Sequence, residues 1–333
     1  MRVQRRHGTG TVRVVICIKM ENPTVSERFC VYRWQVRAFC IVFLAALGWV
    51  GFSDFAQGAD LDDDDAVKTT STLPNIYLDL RTIYSRVPAN TLSIGFSNPS
   101  SVSSAIATLQ TLSTLPTSSN LSSPASQSVG IDVPLTIDLN DRVSVYGGFS
   151  ASTSQSGTSG WSTLAISSWN VGFQADVYKQ SGGPIPTITL QSTLTRSVPD
   201  SPLATTSLNN IVEFDFALNK DETKGLLADV QYVAVAVDSP LVKVNPDVIG
   251  AIGAYYQWPN NWKLTGRAGV QSFGGAQLLN LRFQPFTQPI VRFDLDRMDD
   301  NDNRLFGVTA EIAWTPKPAY QLTVRTPLYF VRN

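Results

Sequence analysis

The sequence predicts an all-β fold: an antiparallel transmembrane β-barrel of about 12 strands, between 10 and 14, carried behind a cleaved signal peptide. Three observations lead there. Apolar and polar residues alternate with period two over most of the chain after residue 75, and no helix of ordinary length is written after Ser128. A 15-residue apolar run follows basic residues near the start. Trp and Tyr cluster at the ends of the alternating segments, beside the turns.

The apolar run is Ala38 to Phe52, AFCIVFLAALGWVGF, behind Arg28, Arg33 and Arg37 and ahead of SDFAQGAD. A spanning helix needs about 20 apolar residues, so this length fits a signal peptide, with Ala56 and Gly58 placed for cleavage before Ala59. Residues 1–58 are read as that peptide with an upstream extension. Cys17, Cys30, Cys40 and His7 all lie within it. A mature chain without Cys or His has no Cys/His metal site, no disulfide and no Ser-His-Asp triad, and the protein is read as a non-enzyme without cofactors. Of 26 Lys+Arg and 27 Asp+Glu, eight and three lie before residue 59, leaving 18 and 24, net -6. Nucleic acid, which needs clustered positive charge, is not an expected partner.

Residues 59–75 form an acidic, solvated lead with four consecutive acids, Asp62 to Asp65. The barrel is expected over 76–333. Ile76, Leu78, Leu80, Thr82 and Tyr84 open it, opposed by Asp79 and Arg81, and a shorter run follows at Leu92, Ile94 and Phe96. Residues 97–128 are half Ser and Thr and read as a long loop. The strongest alternation is Val129 to Ala151. Val129, Ile131, Val133, Leu135, Ile137 and Leu139 take every second position, Asn140 and Asp141 supply the turn, and Val143, Val145, Gly147, Phe149 and Ala151 resume the rank.

The same grammar continues. Trp169 to Val177 turns through QSGGPIP into Ile188 to Leu194; Val212 to Leu218 passes through NKDETKG into Leu226 to Tyr232. Val248 to Trp258 leads through PNN into Trp262 to Val270, and Phe306 to Trp314 through TPKPA into Tyr320 to Val324. Ile290 to Leu295 is a short run of unsettled status, within a segment from Gly274 to Asn303 long enough to fold into a lumen. Asp294, Asp296, Asp299, Asp300 and Asp302 are expected on a solvated surface loop there, lacking the Gly and terminal Glu of a Ca2+ loop.

A barrel in lipid turns its apolar rank outward and its polar rank into the lumen. The expected lumen-lining residues are Asp132, Asp176, Glu213, Asp215, Asp229, Lys263, Arg267, Glu311 and Arg325, and the expected aromatic girdle is Trp169, Trp258, Trp262, Trp314 and Tyr320. Short turns are ordinarily periplasmic, which would place LNDR, PNN and TPKPA on one side. The last strand would then end on the other side, so either the strand count or the loop asymmetry departs from the rule.

The segments TIDLNDRVSVYGGF and WNVGFQADVYKQSGGPIPTITLQ, with Asp141 and Arg142 at the turn, resemble the exported barrels of the MetA-pathway of phenol degradation family, over about Val129 to Phe330. The end of the chain, YQLTVRTPLYFVRN, partly resembles the terminal strand by which barrels are recognised for insertion, although Phe330 stands three residues before the end. The resemblance implies an outer-membrane channel for aromatic or other hydrophobic small molecules. Expected partners are outer-membrane lipid and small-molecule solutes, with oligomeric state open. Two alternatives stand: a surface structural or adhesion barrel without transport, and a secreted soluble β-sandwich that binds a ligand.

Overall fold

The computed structural model describes residues 74–89, 125–180, 183–198, 204–278, 281–283, 285–299, 304–314 and 317–331. The signal segment, nearly all of the acidic lead, the run at 92–96 and residues 97–124 of the Ser/Thr-rich stretch lie outside them.

Twelve strands close into one barrel. In chain order they are β1 (Asn75–Val87), β2 (Ser126–Asp138), β3 (Val143–Ser156), β4 (Ala165–Tyr178), β5 (Thr187–Ser197), β6 (Thr205–Ala217), β7 (Lys224–Val237), β9 (Asp247–Gln257), β10 (Trp262–Phe273), β13 (Phe286–Met298), β14 (Arg304–Trp314) and β15 (Pro318–Val331). Three short strands, β8 (Val242–Val244), β11 (Ala276–Leu278) and β12 (Leu281–Phe283), form a separate sheet in the β7–β9 and β10–β13 connections. Each barrel strand pairs antiparallel with its neighbours in the chain, and β1 pairs with β15, from Ile76 opposite Val331 to Arg86 opposite Tyr320. Closure leaves no sheet edge to satisfy.

The alternation sets the two surfaces. Outward side chains such as Leu135, Val171, Phe214, Val230, Ile252, Val270 and Phe293 are exposed, and Ile252 is 72% exposed at the middle of β9. Inward side chains such as Gln231, Gln271, Gln288, Asp294 and Glu311 are buried. A closed barrel with apolar side chains facing out and charges facing in is a transmembrane barrel of the outer-membrane type.

With 12 strands both barrel ends of the chain emerge on one side, together with the β2–β3, β4–β5, β6–β7, β9–β10 and β13–β14 connections. LNDR and PNN therefore share an end with the termini. TPKPA leads from β14 into β15, whose first two residues are its Pro318 and Ala319, at the opposite end of the barrel, the end to which the 88–125 connection also belongs. The orientation conflict disappears, since the β14–β15 connection is short in sequence and belongs to the long-loop side.

Three expectations about segments are corrected. The Gly274 to Asn303 segment is no free insertion, because β13 takes up Phe286–Met298 with β10 and β14 on either side. Asp294 and Asp296 accordingly sit on a strand and not on a surface loop. The Ser/Thr-rich stretch ends at the barrel, where Ser126–Ser128 already belong to β2 and the Ser128 hydroxyl lies 2.6 Å from that of Ser85 on β1.

Tyrosines over glycines support the wall from inside. Gly172 leaves room for the Tyr146 ring, whose hydroxyl lies 2.6 Å from Thr193 Oγ1 and accepts from Gln191 Nε2 at 2.9 Å. A side-chain carbon at Gly225 would likewise meet the Tyr255 ring.

Candidate functional site

All nine sequence-predicted lumen residues stand on barrel strands, and seven of them, all but Asp176 and Glu311, line the two cavities described below. Asp132 stands on β2, Asp176 on β4, Glu213 and Asp215 on β6, Asp229 on β7, Lys263 and Arg267 on β10, Glu311 on β14 and Arg325 on β15. They do not form one cluster. Asp176 stands apart near the terminus end, accepting from Thr189 Oγ1 at 2.8 Å. Glu213, Asp229 and Arg267 come together on one stretch of the inner wall, over β6, β7 and β10: Arg267 Nη2 donates to Glu213 at 2.6 Å, its Nε lies 3.7 Å from Asp229, and its Nη1 lies 4.0 Å from Asp294.

A second guanidinium extends this layer. Arg292 Nε donates to Asp294 at 2.9 Å, and Arg292 Nη1 lies 3.8 Å from Glu311, which also accepts from Gln321 Nε2 at 2.8 Å. Arg304 pairs with Asp296 at 2.8 Å. Arg292, Asp294, Asp296, Arg304 and Arg81 were not among the expected lining residues. The signal for three of them was present, because Val291, Phe293 and Leu295 alternate strictly with Arg292, Asp294 and Asp296. The density of acids there reads as a loop only if the apolar partners between them are passed over.

Two cavities open from this layer. The larger, about 430 Å3, lies mostly against β1 to β7, and its lining includes Arg81, Asp132, Tyr146, Gln191, Asn209 and Gln231. The smaller, about 210 Å3, lies toward the terminus end, lined by Asp215, Tyr255, Lys263, Asp296 and Arg304 among others. Glu213, Arg267, Arg292 and Arg325 line both. Of the 22 residues around the larger cavity only Pro134 and Ile211 are aliphatic, so it suits polar solutes.

The long-loop end is filled on the other side. Inward-facing Val233 and Phe273 pack with Ala276, and Val244 and Phe286 close around them, which brings β8 and β11 onto the lumen face. Ile249, Ala251, Ile290 and Ala313 form a second apolar layer. Between these layers runs a buried polar relay: Gln288 Nε2 donates to Gln271 Oε1, and Gln271 Nε2 donates to Asp247 Oδ2, each at 2.5 Å. No group of three or more His, Cys, Asp or Glu suited to a metal occurs among the described residues.

The aromatic residues stand at the two rims. Trp258 and Trp262 flank the β9–β10 turn at the terminus end, where Tyr256 meets Trp258 edge-on at 5.4 Å and Arg297 lies 5.8 Å from the Trp262 ring. Trp169, Trp314 and Tyr320 stand toward the long-loop end.

No family model matches the chain, and no curated protein matches it. Among solved structures it is similar to an outer membrane channel from Pseudomonas putida F1, at 9% identity and TM-score 0.47 over 81% of this chain and 100% of that one. It is also similar to the translocator domain of the autotransporter NalP from Neisseria meningitidis, at 11% identity and TM-score 0.38 over 86% and 97%. The CymD monoaromatic hydrocarbon channel matches at 10% identity and TM-score 0.36 over 77% and 88%. At these values the likeness is of barrel to barrel, and nothing about solute follows from it.

Proposed function

We propose that the protein is an outer-membrane channel for passive passage of small polar solutes, with Asp132, Glu213, Asp229, Arg267 and Arg325 among the residues that solute and ions meet. The observation that carries this reading is Arg267, held at mid-lumen between Glu213 and Asp229 where the two cavities meet. Charges of opposite sign facing each other across a narrow lumen set up a transverse field, which orders dipolar and charged solutes and screens out apolar ones. A barrel of 12 strands lies between the filled eight-stranded case and the open porins of 16 or more, so side chains govern its bore. The hydrophobic or aromatic solutes that the family resemblance implies are disfavoured by the scarcity of aliphatic lining in the larger cavity.

Planar-bilayer recording of the refolded mature chain tests the reading. Discrete conductance steps are expected, with a reversal potential in a salt gradient that moves toward cation selectivity in Arg267→Glu and toward anion selectivity in Asp132→Lys. A heat-modifiable barrel without conductance would overturn the channel and leave a structural or adhesion barrel. Unchanged reversal potentials in both variants would remove these residues from the pore.

A further inference from the structure

Arg81 and Arg325 stand directly opposite each other where β1 closes on β15. Opposed residues of an antiparallel pair have Cβ atoms about 4.5–5.5 Å apart, and like charges in that position are destabilising. The other lumen arginines have close acids: Arg267 has Glu213 at 2.6 Å, Arg292 has Asp294 at 2.9 Å and Arg304 has Asp296 at 2.8 Å. Among the described residues Arg81 has one carboxylate within 4.0 Å, that of Asp79 at 4.0 Å, with Asp132 attracting it from farther off, and Arg325 has none. Asp132 faces Arg81 across β1 and β2 in the register but forms no ion pair with it among the described residues. The Nε atoms of both arginines are buried without a hydrogen-bond partner. Both arginines, opposed in the strand register and each with an unpartnered Nε, line the cavity of about 430 Å3, a volume within the range that small-molecule sites take.

We propose that the Arg81–Arg325 pair is an oxyanion site: it holds the carboxylate or phosphoryl group of a small organic anion between two guanidinium forks. The ligand's negative charge relieves the repulsion between the arginines and fills their planar donor geometry. Arg325 lines both cavities, so an anion held there lies at the junction between them. The inference deepens the channel reading by naming its solute class.

The test uses the full mature chain, folded in detergent, with succinate and inorganic phosphate as probes and glycerol as the neutral control. Titration calorimetry should show saturable binding of at least one anion and none of glycerol, and the stronger probe identifies carboxylate or phosphoryl as the preferred group. Arg81→Gln and Arg325→Gln should each weaken that binding roughly tenfold or more, the range of a lost charge-assisted hydrogen bond. Arg325→Lys, which keeps the charge and loses the fork, should fall between. Each Gln variant removes one of two opposed like charges, so heat-modifiable gel mobility should show a barrel at least as stable as wild type. A wild-type protein that binds neither anion, or Gln variants that bind as well as wild type, would overturn the site. Arginine-dependent binding in a barrel that never conducts keeps the site and overturns the channel; conductance without arginine-dependent binding does the reverse.

Discussion

Replacing Arg267 by Gln should be the most damaging single change in the lumen. The guanidinium lies 2.6 Å from Glu213, 3.7 Å from Asp229 and 4.0 Å from Asp294, and its side chain is 16% exposed. At an effective dielectric of about 20, one pair at 4 Å is worth about 4 kcal/mol before desolvation, and removing one partner of a buried pair costs about 3–5 kcal/mol. Glu213 is 32% exposed and faces a cavity, so solvent screens part of this and the low end applies, about 2–3 kcal/mol. Urea unfolding of the detergent-folded barrel, followed by tryptophan fluorescence and by gel mobility, would measure it. The double variant Arg267→Gln/Glu213→Gln should recover about 1–2 kcal/mol, because the cost arises from the stranded carboxylate and not from lost packing. A single variant within about 0.5 kcal/mol of wild type, with no recovery in the double, would refute the reasoning and make the layer an incidental contact.

Four other changes test the fold. Ile252→Arg places a charge at the middle of the exposed face and should destabilise the lipid-inserted barrel by about 2–4 kcal/mol, whereas Ile211→Asn, which faces the larger cavity, should be tolerated; a soluble sandwich would reverse that order in a stability assay. Gly172→Ala puts a carbon 2.6 Å from the Tyr146 ring and should cost about 1–3 kcal/mol, read as a lower temperature for loss of heat-modifiable mobility. Gln271→Leu removes the amide that donates to the buried Asp247 Oδ2 and accepts from Gln288 Nε2, and a loss of about 1–3 kcal/mol should appear in urea unfolding.

Strands were legible wherever a polar residue separated each pair of apolar ones, which is why Val129–Ala151 reads correctly over both its halves and its turn. β13 was obscured because Pro289 interrupts its first half and two acids, Asp294 and Asp296, crowd its end, both ordinary marks of a loop. Pro289 is tolerated on the outward rank of the strand, opposite Val270. Composition misled at Ser126–Ser128 for a related reason: a lumen-facing strand end can be as rich in serine as a linker. Which side chains share a strand face was legible residue by residue, since parity along a strand suffices. The pairing of Arg267 with Glu213, 54 positions apart, was not, because it depends on the register of β7 and β9, which lie between β6 and β10 in the wall.

Alternation by itself does not say which rank meets lipid, since a sandwich and a barrel write the same pattern. Closure decides it. Because β1 pairs with both β2 and β15, the polar rank is confined to the inside of a tube, where Gln271 and Gln288 are fully buried while Ile252 is 72% exposed. Water as the outer solvent would leave most of the aliphatic side chains hydrated and most of the charges enclosed, an arrangement that burial energetics oppose on both surfaces. With lipid outside, the same tube satisfies both, and the enclosed charges become the part of the molecule to be explained. Opposed acids and bases account for the Arg267 and Arg292 layer as mutual compensation. They account less fully for Arg81 against Arg325, where Asp79 at 4.0 Å and Asp132 on β2 offset one arginine and no carboxylate of the described residues lies within 4.0 Å of the other; an anion between the two, as proposed above, would complete the compensation.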